Sequence, residues 1–200
     1  MKDELPDLTL LADIVAKGLG KAAAVLGEML ESPVSIMDRE YCVLHVSELP
    51  LALGIEKGEY VRVIEMGFSG GFEGTAHLVF MPTDAERLAD RVTVGLGLVS
   101  DDIESIRRGT LSEIGNIVIN AILGTMANDL GMELTYMVPL CLRVVARDLV
   151  PIPTDGKGTV VLIRARFSVA AIEVDGDIIF FLSLSSLERL ALSMQGLAHG

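Results

Sequence analysis

Residues 160–184, VVLIRARFSVAAIEVDGDIIFFLSL, read as two nearly continuous apolar strands. Val160 to Val174 and Ile178 to Leu184 would fold on each other around Asp175-Gly176, a strong two-residue turn signal. Strands this apolar point to a sheet buried in the fold rather than one left facing water. A hundred residues earlier, Tyr60 to Phe68 and Thr75 to Phe80 give a second hairpin around the turn at Ser69-Gly70-Gly71.

The offset of 100 residues extends outward from these hairpins. A long helix from about Asp7 to Glu31 precedes the first, and one from about Asp102 to Leu130 precedes the second. Ser100 or Asp101 is placed as the N-cap of the second helix and Gly131 as its terminator. Val34 to Met37, Tyr41 to Val46 and Met137 to Ala146 read as the intervening strands. Each hairpin is followed by a capping-box pattern, Thr83-Asp84-Ala85-Glu86 and Ser185-Ser186-Leu187-Glu188, opening a short helix. Leu149 to Gly158 carries two prolines and two glycines and reads as a loop. The expected fold is α+β: one domain over residues 1–200, built from two helix–strands–helix repeats at about 7–98 and 101–197. Two three-stranded halves would join into one antiparallel-rich sheet, with the two long helices packed on it.

Composition narrows the function. The net charge is −12, and Arg107-Arg108 is the only adjacent basic pair, so neither nucleic acid nor an anionic lipid surface suits the chain. Trp is absent, which argues against a stacking platform for single strands. No apolar run reaches 18 residues without a charge, and the acidic start does not resemble a signal peptide. The expectation is a cytoplasmic protein with a protein partner and no membrane insertion; a homodimer is left open. Cys42 and Cys141, each in an apolar run, read as reduced thiols and cannot make a structural zinc site. His45, His77 and His199 are scattered, and no Gly-x-Ser-x-Gly element accompanies them.

The second long helix contains Leu111-Ser112-Glu113-Ile114-Gly115-Asn116-Ile117-Val118-Ile119-Asn120. Helical spacing puts Glu113, Asn116 and Asn120 on one face, and Ile114, Val118, Ile122 and Met126 on the other. From spacing alone this is the solvated side of an amphipathic helix. A carboxylate beside an amide has a further use, because the amide both donates and accepts and can orient a water. The alternative of a metal-dependent hydrolase on Asp101, Asp102 and Glu104 competes with a simpler account, since acidic residues favour a helix start.

Glu113 to Ile117 resembles the signature segment of the CheC family, which includes CheX and FliY. The family pattern is Asp or Ser, three residues, Glu, two residues, Asn, then 22 residues and Pro. Glu113, Asn116 and Pro139 match it in this sequence. A proline falls at one stated position by chance about 5% of the time. The Asp or Ser position holds Gly109, which supplies no hydrogen bond; Thr110 and Ser112 are expected on other faces of the helix. In the first half the pair is replaced by Asp13 and Ala16, so that half reads as structural.

The resemblance implies a phosphatase acting on the phospho-aspartate of a CheY-like response regulator. Glu113 would dock on a regulator lysine and Asn116 would hold the attacking water. The chain would need no cofactor of its own, the Mg²⁺ belonging to the regulator. The competing reading is a noncatalytic adaptor that binds a response regulator, a CheD-like protein or a flagellar switch component.

Overall fold

The structure is a computed structural model, and it describes residues 9–45, 48–52, 54, 58–93, 102–145, 148–149 and 159–198. The elements in order are α1 (Thr9–Leu30), β1 (Val34–His45), α2 (Leu49–Ala52), β2 (Tyr60–Gly70), β3 (Gly74–Phe80), α3 (Pro82–Thr93) and α4 (Ile103–Leu130). They continue with β4 (Leu134–Tyr136), β5 (Leu140–Val145), β6 (Thr159–Val169), β7 (Val174–Leu182) and α5 (Leu184–Ala198). Ser100, Asp101 and His199, and most of the loop expected between Leu149 and Gly158, lie outside the described residues.

The seven strands form one sheet in the order β1-β6-β7-β3-β2-β4, with β5 also on the outer side of β2. Every pairing is antiparallel. The two halves join at β3 and β7, where Ala76 faces Phe180. They also trade strands: β1 pairs with β6 of the other half, and β5 with β2. The repeat is therefore interleaved rather than two three-stranded sheets laid side by side. The 100-residue offset is visible in the backbone. α1 ends at Leu30 and α4 at Leu130, and both following residues, Glu31 (φ 51°) and Gly131 (φ 62°), are left-handed.

Both faces of the central strands are buried, as their apolar runs require. On one face Ile64, Leu78, Phe167 and Phe180 pack against Leu19, Leu88, Val118 and Leu190 of the helices. On the other, Val63, Val79, Ile179 and Phe181 pack around Leu149.

Several local readings are corrected. Val34 to His45 is one strand, with a register shift between Ile36 and Arg39 where a break was expected. The β6–β7 turn is not at Asp175-Gly176. Val169 pairs with Val174 across a 3₁₀ turn at Ala170–Ile172, and Gly176 sits inside β7 opposite Phe167. A Cβ on Gly176 would run into the rings of Phe167 and Phe80, so that glycine answers packing, not turning. The capping boxes are also displaced. α3 starts at Pro82, with Asp84 and Ala85 N–H donating to Met81 O. α5 is capped by Ser183, whose Oγ accepts from Ser186 N–H at 3.1 Å. A proline at the first helical position, and a serine two places upstream of the expected Ser185, decided these starts.

Candidate functional site

α4 presents the site, and its placement is fixed along its whole length. Asp102 is the N-cap, accepting from Ser105 N–H at 3.1 Å, one residue beyond the caps expected from sequence. Glu104 accepts from Arg62 Nη2 of β2 at 2.6 Å. Arg107 forks onto both carboxylate oxygens of Asp90 on α3, at 2.8 and 2.6 Å. Near the other end Asp129 accepts from Lys17 of α1 at 2.7 Å. Gly18 of α1 lies so close to Ile122 that a Cβ there would sit 3.0 Å from the Ile122 carbonyl oxygen. Two of the three carboxylates offered for a metal are therefore engaged, Asp102 capping the helix and Glu104 holding Arg62, and Asp101 lies outside the described residues. Among the described residues no cluster of three His, Cys, Asp or Glu side chains could hold an ion.

Ile114, Val118, Ile122 and Met126 are buried, as the helical period predicts. Glu113 is exposed, and Asn116 and Asn120 are half-buried. Glu113 and Asn116 open together onto a shallow groove of about 420 Å³. Gly109, Ser112, Glu113 and Asn116 form one side of it; Tyr136, Met137, Val138 and Pro139 form the other. Ser112 thus lies on the working face, one turn before Asn116, and not on a different face as expected. Asn116 Oδ1 accepts from Asn120 Nδ2 at 2.9 Å. Glu113 has neither an ion pair nor a hydrogen bond to another described residue, so its carboxylate is available to a partner.

The second wall was not anticipated, because Met137 to Ala146 reads as one strand. The ladder instead breaks into β4 and β5 on either side of Met137-Val138-Pro139. The signal was Pro139, which cannot donate to a ladder and marks a break or an edge. The wall is pinned: Met137 N–H donates to Gly67 O at 2.9 Å, and the Met137 side chain occupies the space a Cβ on Gly67 would need. Its side chains are nevertheless open, Met137 70% and Val138 81% exposed. Burial pushes the Tyr136 phenol up from its ordinary value.

Among the described residues the groove is lined by no His, Lys or Cys. Cys141 lies behind it on β5, and burial pushes its thiol up, away from the thiolate a nucleophile requires. What remains is a free carboxylate, an amide, the Ser112 and Tyr136 hydroxyls and an apolar wall, a set suited to positioning groups. At Gly109 a Cβ would meet nothing within 4 Å, so the vacant Asp or Ser position has room for its side chain. Gly109→Ser should stabilise the protein by about 0.5 kcal/mol through helix propensity. A thermal midpoint raised by about 1–2 °C checks it; a lowered one would show the position is not open.

No family model and no curated protein matches the chain. Solved structures do. FliY from Thermotoga maritima matches over 98% of this chain and 98% of its own, with a TM-score of 0.75 and 15% identity. The middle domain of FliM from H. pylori matches over 93% and 97%, with a TM-score of 0.65 and 14% identity. CheX from Borrelia burgdorferi, in a complex with CheY, BeF₃ and Mg²⁺, matches over 86% and 98%, with a TM-score of 0.57 and 18% identity. The α+β fold expected from the repeat of helix, strands and helix is the fold of this chain, and these structures share it.

Proposed function

We propose that the chain is a member of the CheC/CheX/FliY family and a phosphatase for the phospho-aspartate of a CheY-like response regulator. The observation that carries this reading is the joint opening of Glu113 and Asn116 onto one groove with a rigid, exposed apolar wall. The fold shared with CheX and FliY supports it, as does the CheX–CheY complex among the similar structures.

Hydrolysis of an acyl phosphate needs a water in line with phosphorus. The water oxygen forms the new P–O bond, the bond to the aspartyl oxygen breaks, and the aspartate leaves as a carboxylate. Asn116 holds that water through its amide. Glu113 pairs with a regulator lysine and sets the register of docking. Met137 and Val138 are covered by the regulator, which accounts for apolar side chains exposed beside a polar pair. Mg²⁺ is supplied on the regulator, where it offsets phosphate charge, and this chain adds no cofactor. Both proteins act in the cytoplasm.

Phosphate release from phosphorylated regulators of the same genome tests the reading. At least one regulator should lose phosphate faster than it does alone. A second reading has its own support: FliM middle domains share the fold, one of them in a complex with FliG. An adaptor of that kind would bind a regulator, a CheD-like protein or a switch component without turnover. Docking is tested separately by Glu113→Lys, which places two cations together. Affinity for the phosphorylated regulator should fall about tenfold or more, ~1.4 kcal/mol; an unchanged dissociation constant would remove Glu113 from the interface.

A further inference from the structure

We propose that Asn120 is a positioning residue that fixes the orientation of the Asn116 amide. The inference rests on Asn116 being the group that holds the water. Asn120 lies one turn further along α4, and its Nδ2 donates to Asn116 Oδ1 at 2.9 Å. An amide oxygen accepts at two lone pairs. With one taken by Asn120, Asn116 keeps one lone pair and both Nδ2 hydrogens for the groove. Without that bond the amide is free to turn end over end, and donor and acceptor exchange places.

Two further observations mark Asn120 as more than packing. Its own Oδ1 is buried and has no partner among the described residues. Leaving a buried acceptor unpaired is costly, and Asn is a poor helix former, so stability alone would favour an apolar residue here. The two halves of the chain also provide an internal comparison. At the 100-residue offset Asn116 corresponds to Ala16 and Asn120 to Gly20. The half without the amide also lacks its partner, although a side chain at Gly20 would meet nothing within 4 Å. Space did not exclude a residue there; one half has both amides and the other has neither.

The experiment compares parent, Asn120→Ala, Asn120→Asp and Asn116→Ala in phosphate release from the phosphorylated regulator, with thermal melts of each. Asn120→Ala should lower kcat about five- to tenfold, the worth of one hydrogen bond, with KM unchanged and a melting midpoint equal to the parent's or higher. Asn120→Asp, which can only accept, should turn the Asn116 amide around and lower kcat further. A role confined to packing would lower the melting midpoint and leave kcat alone. If Asn116→Ala is inactive while Asn120→Ala keeps the parent's kcat, this inference falls and the phosphatase reading stands. If the parent shows no turnover, or Asn116→Ala matches it, both fall. Side-chain amide NMR gives a readout independent of turnover. The Asn116 Nδ2 resonances should become mobile in Asn120→Ala, and identical spectra around Asn116 would overturn the proposal.

Discussion

Replacing Asn116 with alanine should reduce the accelerated release of phosphate by at least about 100-fold, ~2.7 kcal/mol, while the fold persists. The size follows from what the groove offers. Among the described residues its lining has no His, Lys or Cys, and Glu113 is taken up by docking in this reading, so catalysis rests on positioning, and displacing a reactant by about 1 Å can cost 100-fold. The fold should persist for two reasons. Alanine is the better helix former, and the chain already carries alanine at the corresponding place in α1, Ala16. The loss on the other side is one hydrogen bond from Asn120. The measurement is phosphate release under single turnover, with circular dichroism and a thermal melt as controls. Turnover equal to the parent's would remove Asn116 from the chemistry.

The same variant separates the two functional readings. A phosphatase without its water-holding amide should still dock, because Glu113 and the Met137–Val138 wall are untouched. An adaptor should bind the regulator equally well with or without the amide, and show no turnover in either form. The pairing of intact affinity with lost turnover therefore belongs to the phosphatase alone.

The face of α4 was legible because a helix has one period and the apolar residues obey it: Ile114, Val118, Ile122 and Met126 all point inward. The C-terminus of α4 was legible at Gly131, where a left-handed residue is needed. The turn between β6 and β7 was not. Asp175-Gly176 is a turn signal only where the backbone turns, and here two aromatic rings required the missing Cβ. The interleaving of the halves was hidden for a different reason. β1 and β5 are edge strands whose partners lie 75 or more residues away in sequence, and local pattern carries no information about such pairings. The apolar wall was missed because its side chains resemble strand interior, and only Pro139 distinguishes them.

Gly115→Val should be the most damaging single substitution in the signature segment, although Gly115 makes no contact with the groove. Gly115 faces the sheet between Glu113 and Asn116. A Cβ there would lie 3.0 Å from Ile64 Cβ on β2, and closer still to its Cγ2. Ile64 is fully buried and branched at that carbon, so it cannot swing aside. Glycine inside a helix costs about 1 kcal/mol against alanine; here that cost permits the helix to lie directly on the strand. Valine would overpack the contact by about 1–3 kcal/mol, lowering the thermal midpoint by up to about 10 °C in a chain of this size. The helix can relieve the clash only by moving outward, which shifts Glu113 and Asn116 against the wall that Gly67 and Met137 hold in place. Turnover should then fall in the protein that remains folded, with both site residues chemically intact. Gly124→Ala is the matched control: its Cβ meets nothing within 4 Å, so it should melt at or above the parent's temperature and keep full turnover. A Gly115→Val protein that melts with the parent would mean that α4 does not rest on Ile64, and that the groove is not built as described.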